Sequence, residues 1–142
     1  MEADIHVDKL AYALALLDGA RRISDSAMDE PISTIGIPFY LLIGFSIENS
    51  LKAFLEYKNC EGNWQRSHDL AGLLLRARQS AMQLPQEVEA FIENLSPFHK
   101  EYWFRYPEKA GSAYVYPAAT ALFAADALLV VAFDLTATAD KF

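Results

Sequence analysis

The helical spacing of the apolar residues is the feature that most restricts how this chain can fold. No stretch shows the sustained alternation of apolar and polar residues that is typical of strands, whereas five segments carry apolar residues at helical spacing. We predict helices over residues 8–28, 38–58, 68–82, 85–95 and 117–139. The sequence therefore predicts an all-α fold.

Proline and serine residues mark the ends of these helices. Pro38 and Pro85 suit the first position of a helix, where the missing amide hydrogen costs nothing, and residues 31–37 should form a loop. Ser67 is a suitable N-cap for the third helix. Pro97 should end the fourth helix, because a proline disfavours the helical conformation in the residue before it.

The length and composition favour one compact domain over residues 1–142. A chain of 142 residues can bury about two-thirds of the surface that it exposes when unfolded. The hydrophobic fraction of 53%, with only 6 Gly and 6 Pro, argues against disorder. Such an apolar chain has surface to spare for a partner, so we expect it to form a homodimer.

The charge argues against general nucleic-acid binding. The net charge is −7, and nonspecific binding to phosphate backbones depends on Lys and Arg. Residues 1–61 hold ten acids and five bases, whereas residues 62–109 hold six of each. We therefore expect any nucleotide or RNA ligand to contact the second of these stretches.

Cysteine usage and the first residues favour the cytoplasm. Cys60 is the single cysteine, so it cannot form a disulfide within the chain, and a reducing compartment fits. The first residues are acidic where a secretory signal is basic. The apolar stretches 32–47 and 118–133 are interrupted by Gly and Pro or fall short of the ~20 uncharged residues of a membrane span. We expect both to be buried helices and expect no contact with a membrane.

Glu48 and Lys52 are four residues apart and can form an ion pair on one face of the second helix. An exposed pair of this kind contributes about 0.2–0.5 kcal/mol. The neighbouring residues are apolar on nearly every side, so the pair is alternatively partly buried, where an unpaired charge costs much more. A buried Glu48 then needs a cationic partner, and Arg105 is our candidate.

His68 and Arg105 each have a structural and a functional interpretation. His68 follows the proposed N-cap and either packs locally or, because the helix dipole favours its neutral form, acts as a base or acceptor. Arg105 follows the aromatic residues 102–104. Those rings either pack in the core or a dimer interface, or form a stacking surface for a base beside a phosphate-binding guanidinium.

The pattern of possible ligands does not predict a metal site. The chain has no Glu-x-x-His pair of the kind that helical bundles use for metals, and no glycine-rich phosphate loop. The three histidines, His6, His68 and His99, are few and scattered along the sequence. We therefore expect no metal and no cofactor.

Three clusters, in this order, resemble a known helical family. Glu48 precedes a Leu-Lys-Ala step, His68 begins a His-Asp-Leu step, and Arg105 begins an Arg-Tyr-Pro-Glu step. Together they resemble the HEPN (higher eukaryotes and prokaryotes nucleotide-binding) domain. The resemblance implies a bundle of four main helices plus one or two short helices, usually dimeric. The candidates for ligand binding are then Glu48, Lys52, His68, Asp69, Arg105 and Tyr106.

The same resemblance bears on catalysis. Ribonucleases of this family use an arginine and a histidine that follows it after a gap of four to six residues, paired across the dimer. Arg105 matches the arginine, but the expected histidine positions hold Ala110, Gly111 and Ser112. None of these side chains can replace a general base near neutral pH. The closer analogy is with non-catalytic members, which include partners of small nucleotidyltransferases in toxin-antitoxin-like pairs.

We therefore expect a non-catalytic, HEPN-like dimeric binding module. Its partner would be a protein, for example a nucleotidyltransferase, or a nucleotide or RNA near the Arg105 loop. One alternative is a divergent metal-independent ribonuclease that uses Arg105 with a displaced histidine, His68 or His99. A second alternative is a helical interaction protein without a ligand.

The expected assembly can be measured directly. The alanine-rich last helix and the aromatic residues 102–104 leave more apolar surface than a monomer of this size can bury, so we predict a homodimer. Light scattering at micromolar concentration should give twice the chain mass of 15.9 kDa. A mass equal to that of one chain would contradict the prediction.

Overall fold

The fold is a helical bundle. A computed structural model describes residues 5–26, 32–101 and 117–137. Within these ranges the chain forms five α-helices: α1 (Ile5–Ser26), α2 (Ile32–Tyr57), α3 (Leu70–Gln79), α4 (Gln86–Lys100) and α5 (Ala118–Ala137). A 3-10 turn, Trp64–Arg66, lies between α2 and α3, and the described residues contain no strand. The all-α prediction is confirmed.

Helix α2 is the centre of the bundle and packs against each of the other four helices. Its apolar residues occur on nearly every side of the helix rather than on one stripe, which is typical of a helix surrounded by protein. Eight of them are at most 1% exposed: Phe39, Tyr40, Ile43, Ile47, Leu51, Ala53, Phe54 and Leu55. Any polar residue in this part of α2 must therefore find its partners inside the protein.

Helix α1 lies along α2 and also contacts α5. Its buried residues recur every three or four positions and form one face: Leu10, Ala13, Leu17 and Ala20. Ser46 on α2 is fully buried, and its Oγ donates a hydrogen bond of 2.8 Å to the carbonyl oxygen of Ala13. This bond adds a specific polar contact to the apolar packing of α1 on α2.

Helices α3 and α4 pack against each other and against α2. Asp69 is the N-cap residue of α3, one position before Leu70. Ser67 had been the expected N-cap, with the helix starting at His68. Instead the Ser67 Oγ accepts a hydrogen bond from the Asp69 amide, so His68 lies in the segment before the helix.

Two predicted boundaries are wrong at prolines. Helix α2 begins at Ile32, so residues 32–37 are helical rather than a loop, and Pro38 lies inside the helix. Helix α4 continues through Pro97 to Lys100. Pro97 is exposed, so the backbone carbonyl one turn earlier, which loses its partner, lies on the side of α4 that water reaches.

Helix α5 is apolar and only partly covered. By length and composition alone it is the one described helix that could cross a membrane, with a mean hydropathy of 1.9 over the tested window. It packs on α1 and α2, and its Asp126 forms a 2.9 Å ion pair with Arg21 of α1. Phe123, Val130 and Phe133 are exposed on it. These side chains are available to a second copy of the chain, but dimerisation stays a prediction.

The Ser46 hydrogen bond yields a test of helix packing. Ser46→Ala should lower the free energy of unfolding by about 0.5–1.5 kcal/mol, because it removes a buried hydrogen bond between two helices. Urea denaturation followed by circular dichroism measures this loss. Ser26→Ala, which removes an exposed hydroxyl that bonds within its own helix, is the matched control and should change little. Equal stability of the two variants would show that the Ser46 bond does not hold α1.

Candidate functional site

A buried carboxylate in the middle of α2 gathers three nitrogen donors. Glu48 is 5% exposed, and its Oε2 accepts a hydrogen bond of 3.0 Å from Lys52 Nζ. Its Oε1 lies 2.9 Å from His68 Nδ1 and 2.8 Å from His99 Nε2. We call these four residues the Glu48 cluster.

Three separate parts of the chain supply the Glu48 cluster. Glu48 and Lys52 lie one turn apart on α2, so their side chains share a face. His68 comes from the segment between the 3-10 turn and α3, and His99 from the last turn of α4. Lys52 Nζ also donates a hydrogen bond of 2.8 Å to the carbonyl oxygen of Gln65. This bond ties the segment before α3 to α2.

The surroundings of Glu48 favour its ionised form. Burial alone would raise the pKa of this carboxyl, but hydrogen bonds from His99, His68 and Lys52 and the charge of Lys52 outweigh it. Together they lower the pKa of Glu48 from 4.5 to about 2. Because a carboxylate only accepts hydrogen bonds, each imidazole nitrogen that faces it carries a hydrogen, which assigns the Nδ1–H form to His68 and the Nε2–H form to His99.

His99 fits only because glycine occupies position 44 of α2. A Cβ atom at Gly44 would lie 2.3 Å from His99 Nδ1, far inside van der Waals contact. The ring of Phe45 also meets the His99 ring edge-on, with 4.8 Å between centroids. The His99 side chain is 1% exposed, and the bond from Nε2 to Glu48 together with the packing of Phe45 holds the ring in place.

His68 is the member of the Glu48 cluster that reaches the surface. Its side chain is 35% exposed, whereas those of Glu48 and Lys52 are 6% and 7% exposed. The half-buried ring of Phe45 lies beside it, with 6.3 Å between centroids. A ligand approaching from solvent would therefore contact His68 first, with the rest of the cluster behind it.

Asp69 lies outside the Glu48 cluster and forms contacts between α3 and α4, and its proposed role in ligand binding stays a prediction. Its Oδ1 accepts a 3.1 Å hydrogen bond from the Ser96 hydroxyl, which in turn accepts one from the Ala71 amide. A Cβ at position 72 would come within 2.8 Å of Oδ2, so Gly72 leaves room for this carboxylate at the start of α3. These contacts join α3 to α4.

The interpretation of Glu48 and Lys52 as an exposed ion pair is wrong, because both residues are buried. The alternative interpretation, a buried acid that needs a cation, is the one that the structure supports. The described partners of this acid are Lys52, His68 and His99. Arg105 lies outside the described residues, so its pairing with Glu48 stays a prediction.

Tyr106 and the positions 110–112, where the HEPN resemblance predicts a catalytic histidine, also lie outside the described residues. The proposed role of Tyr106 in ligand binding therefore stays a prediction.

Sequence reasoning missed the pairing of His99 with Glu48. The signal was present: His99 lies four residues after Leu95 and seven after Ile92, which places it on the buried face of α4. The helix break expected at Pro97 concealed this register. The three histidines are scattered along the sequence, but the fold brings the ring centroids of His68 and His99 to 6.3 Å from each other.

No protein-family model, curated protein or solved structure matches this chain. The resemblance to HEPN domains therefore stays a prediction from the three sequence clusters.

The charge of Glu48 can be tested by an isosteric change. Glu48→Gln should lower the free energy of unfolding at neutral pH by about 1–3 kcal/mol, because the amide removes the charge that three donors share. The pKa of Glu48 is lowered, so its stabilisation is complete above about pH 4.5 and is lost as the pH falls through about 2. The gap between wild type and Glu48→Gln should therefore close over that range.

Urea titrations at a series of pH values measure this gap. Glu61→Gln, at an exposed acid, is the control and should match wild type throughout. A constant difference between wild type and Glu48→Gln down to pH 2 would contradict the ionised, donor-bonded state of Glu48.

Proposed function

We propose that this protein is a non-catalytic, HEPN-like dimeric binding module whose ligand is a nucleotide or an RNA strand. The observation that carries the proposal is the Glu48 cluster, in which a buried, fully bonded network presents one half-exposed imidazole, His68, at the surface. A side chain fixed in this way loses little conformational freedom when it contacts a ligand, which favours binding.

The burial of His99 supports binding over cleavage. Cleavage of RNA by acid-base chemistry needs one group at the attacking hydroxyl and a second at the leaving oxygen. Within the Glu48 cluster, His68 can reach a substrate, but the His99 side chain is 1% exposed and serves to hold Glu48. The absence of histidine at positions 110–112 also favours binding over cleavage.

The groups around His68 suit a nucleotide. Phe45 offers a half-buried ring beside His68, and a base can stack on such a ring. Arg66 and Lys100, the neighbours of the cluster along the chain, are exposed cations that can contact phosphate. Arg105, on sequence grounds, is a third cation for the same ligand. With a net charge of −7, these few specific contacts, rather than a general positive field, would provide the affinity.

A divergent ribonuclease is the second candidate, because Glu48 and His68 form a carboxylate–histidine pair. Such a pair fixes the tautomer and orientation of a histidine that acts as a general base. In that enzyme His68 would take the proton from the ribose hydroxyl and Arg105 would stabilise the phosphate.

The exposed apolar residues of α5 form a separate surface, which we assign to the second copy of the dimer or to a protein partner such as a nucleotidyltransferase.

One assay separates these functions. A short fluorescent single-stranded RNA and fluorescent ATP are titrated with metal-free protein in EDTA, and both anisotropy and RNA integrity are followed. We predict binding without cleavage, and a loss of affinity of about tenfold in His68→Ala, as expected for a lost charged hydrogen bond. His6→Ala removes a histidine that packs on Tyr57, away from the cluster, and should bind as wild type does.

Three results would contradict the proposal. Wild type that binds neither probe is not a nucleotide-binding module. Equal affinity of His68→Ala and His6→Ala would place the ligand elsewhere. If wild type cleaves the RNA, and Arg105→Ala together with His68→Ala or His99→Ala abolishes that cleavage, the protein is the divergent ribonuclease instead.

A further inference from the structure

We propose that the Glu48 cluster binds a divalent transition-metal ion of the zinc class through Glu48 Oε1, His68 Nδ1 and His99 Nε2. The proposal does not depend on the nucleotide ligand proposed above, since it rests on the donor atoms of the cluster alone. Two imidazoles and one carboxylate are the three protein ligands of many catalytic zinc sites and of non-haem Fe(II) sites.

The distances between the donor atoms suit one ion. The three atoms all lie within 4.8 Å of one another, and both nitrogens lie within 2.9 Å of the same carboxylate oxygen. Bonds of about 2.0–2.1 Å in a tetrahedral site separate ligand atoms by about 3.3 Å. Each nitrogen therefore needs to move about 0.5 Å away from Oε1, and the two nitrogens, up to 4.8 Å apart, need to come closer together. His68 can supply this movement, because it is half-exposed and lies outside the helices.

Coordination requires a rearrangement of two hydrogens. The nitrogens that face Glu48 now carry hydrogens, and an ion needs their lone pairs instead. In the metal-bound form each imidazole carries its hydrogen on the other ring nitrogen, His68 on Nε2 and His99 on Nδ1, which faces Gly44. The ion then replaces the two hydrogen bonds that Oε1 accepts.

Lys52 is hydrogen-bonded to Oε2, the carboxylate oxygen of Glu48 that does not face the ion. Its Nζ bonds Glu48 Oε2 at 3.0 Å and the Gln65 carbonyl at 2.8 Å, which holds the ammonium away from Oε1. The hydrogen bond orients the carboxylate, as outer partners of metal ligands commonly do. Its positive charge also repels a cation a few ångströms away, so Lys52 lowers the affinity of the site.

The open side of the ion would face solvent past His68. The other two ligands are almost fully buried, whereas 35% of the His68 side chain is exposed. Water or an anionic group can complete the coordination from that side. The site therefore has three protein ligands and an accessible fourth position.

The test uses metal-stripped protein and the metal alone. Calorimetry with Zn²⁺ should show one ion per chain with a Kd below about 100 µM. Co²⁺ should give the visible absorption bands of a four- or five-coordinate site, and Zn²⁺ should raise the melting temperature. His68→Ala, which alters a half-exposed side chain and should fold, is expected to lose at least tenfold in affinity and the Co²⁺ bands. Lys52→Met should bind more tightly than wild type.

His6→Ala is the matched control, since it removes the remaining histidine of the chain and leaves the cluster intact. It should retain wild-type binding. The proposal is overturned if wild type shows neither Zn²⁺ heat nor Co²⁺ bands, or if His6→Ala loses binding as fully as His68→Ala does. Because the RNA and ATP titrations are carried out in EDTA, a negative metal result leaves the nucleotide proposal standing, and the reverse also holds.

Discussion

The need to compensate one buried negative charge organises the centre of this protein. An ionised carboxylate in an apolar interior is strongly unfavourable unless donors surround it. Glu48 lies in α2, which every other described helix contacts, and its two oxygens accept hydrogen bonds from Lys52, His68 and His99. This carboxylate depends on all three donors, because the loss of any one of them leaves the negative charge of Glu48 poorly compensated.

This requirement links parts of the fold that hydrophobic packing alone would hold loosely. Apart from the buried Trp64, the segment before α3 has few apolar residues, and His68 and the bond from Lys52 to the Gln65 carbonyl also tie it to α2. The end of α4 is fixed to α2 through His99. Ser96 and Asp69 then connect α4 back to the start of α3. Hydrogen bonds thus link α2, α4 and the start of α3 to one another, while apolar contacts hold the rest of the bundle together.

Periodicity was sufficient to predict the fold class, because a 3.6-residue repeat of apolar side chains survives errors in helix ends. The ends themselves were less predictable at proline. Pro38 and Pro97 were read as helix boundaries, although a long helix with tertiary packing can tolerate the loss of one hydrogen bond. The error at Pro97 had a further effect, since it removed His99 from the helix that carries it to Glu48.

The candidate site was predictable in part. An acid among apolar neighbours indicated that Glu48 needed a partner, and the four-residue spacing identified Lys52. The imidazoles were harder to place, because their contacts join residues 20 and 51 positions apart in sequence. Spacing along a chain carries information about one helix, whereas a contact between helices depends on crossing geometry that one sequence does not encode in any local pattern.

The close approach of Gly44 to His99 makes the residue that one of these positions can accept depend on the residue at the other. Any side chain at position 44 collides with the imidazole, so a larger residue there becomes acceptable only after His99 has been replaced by something smaller. Replacing His99 first removes a donor from Glu48, and enlarging position 44 first expels the ring. Both single substitutions are unfavourable, so the packing at positions 44 and 99 can be exchanged for another only by changing both residues together.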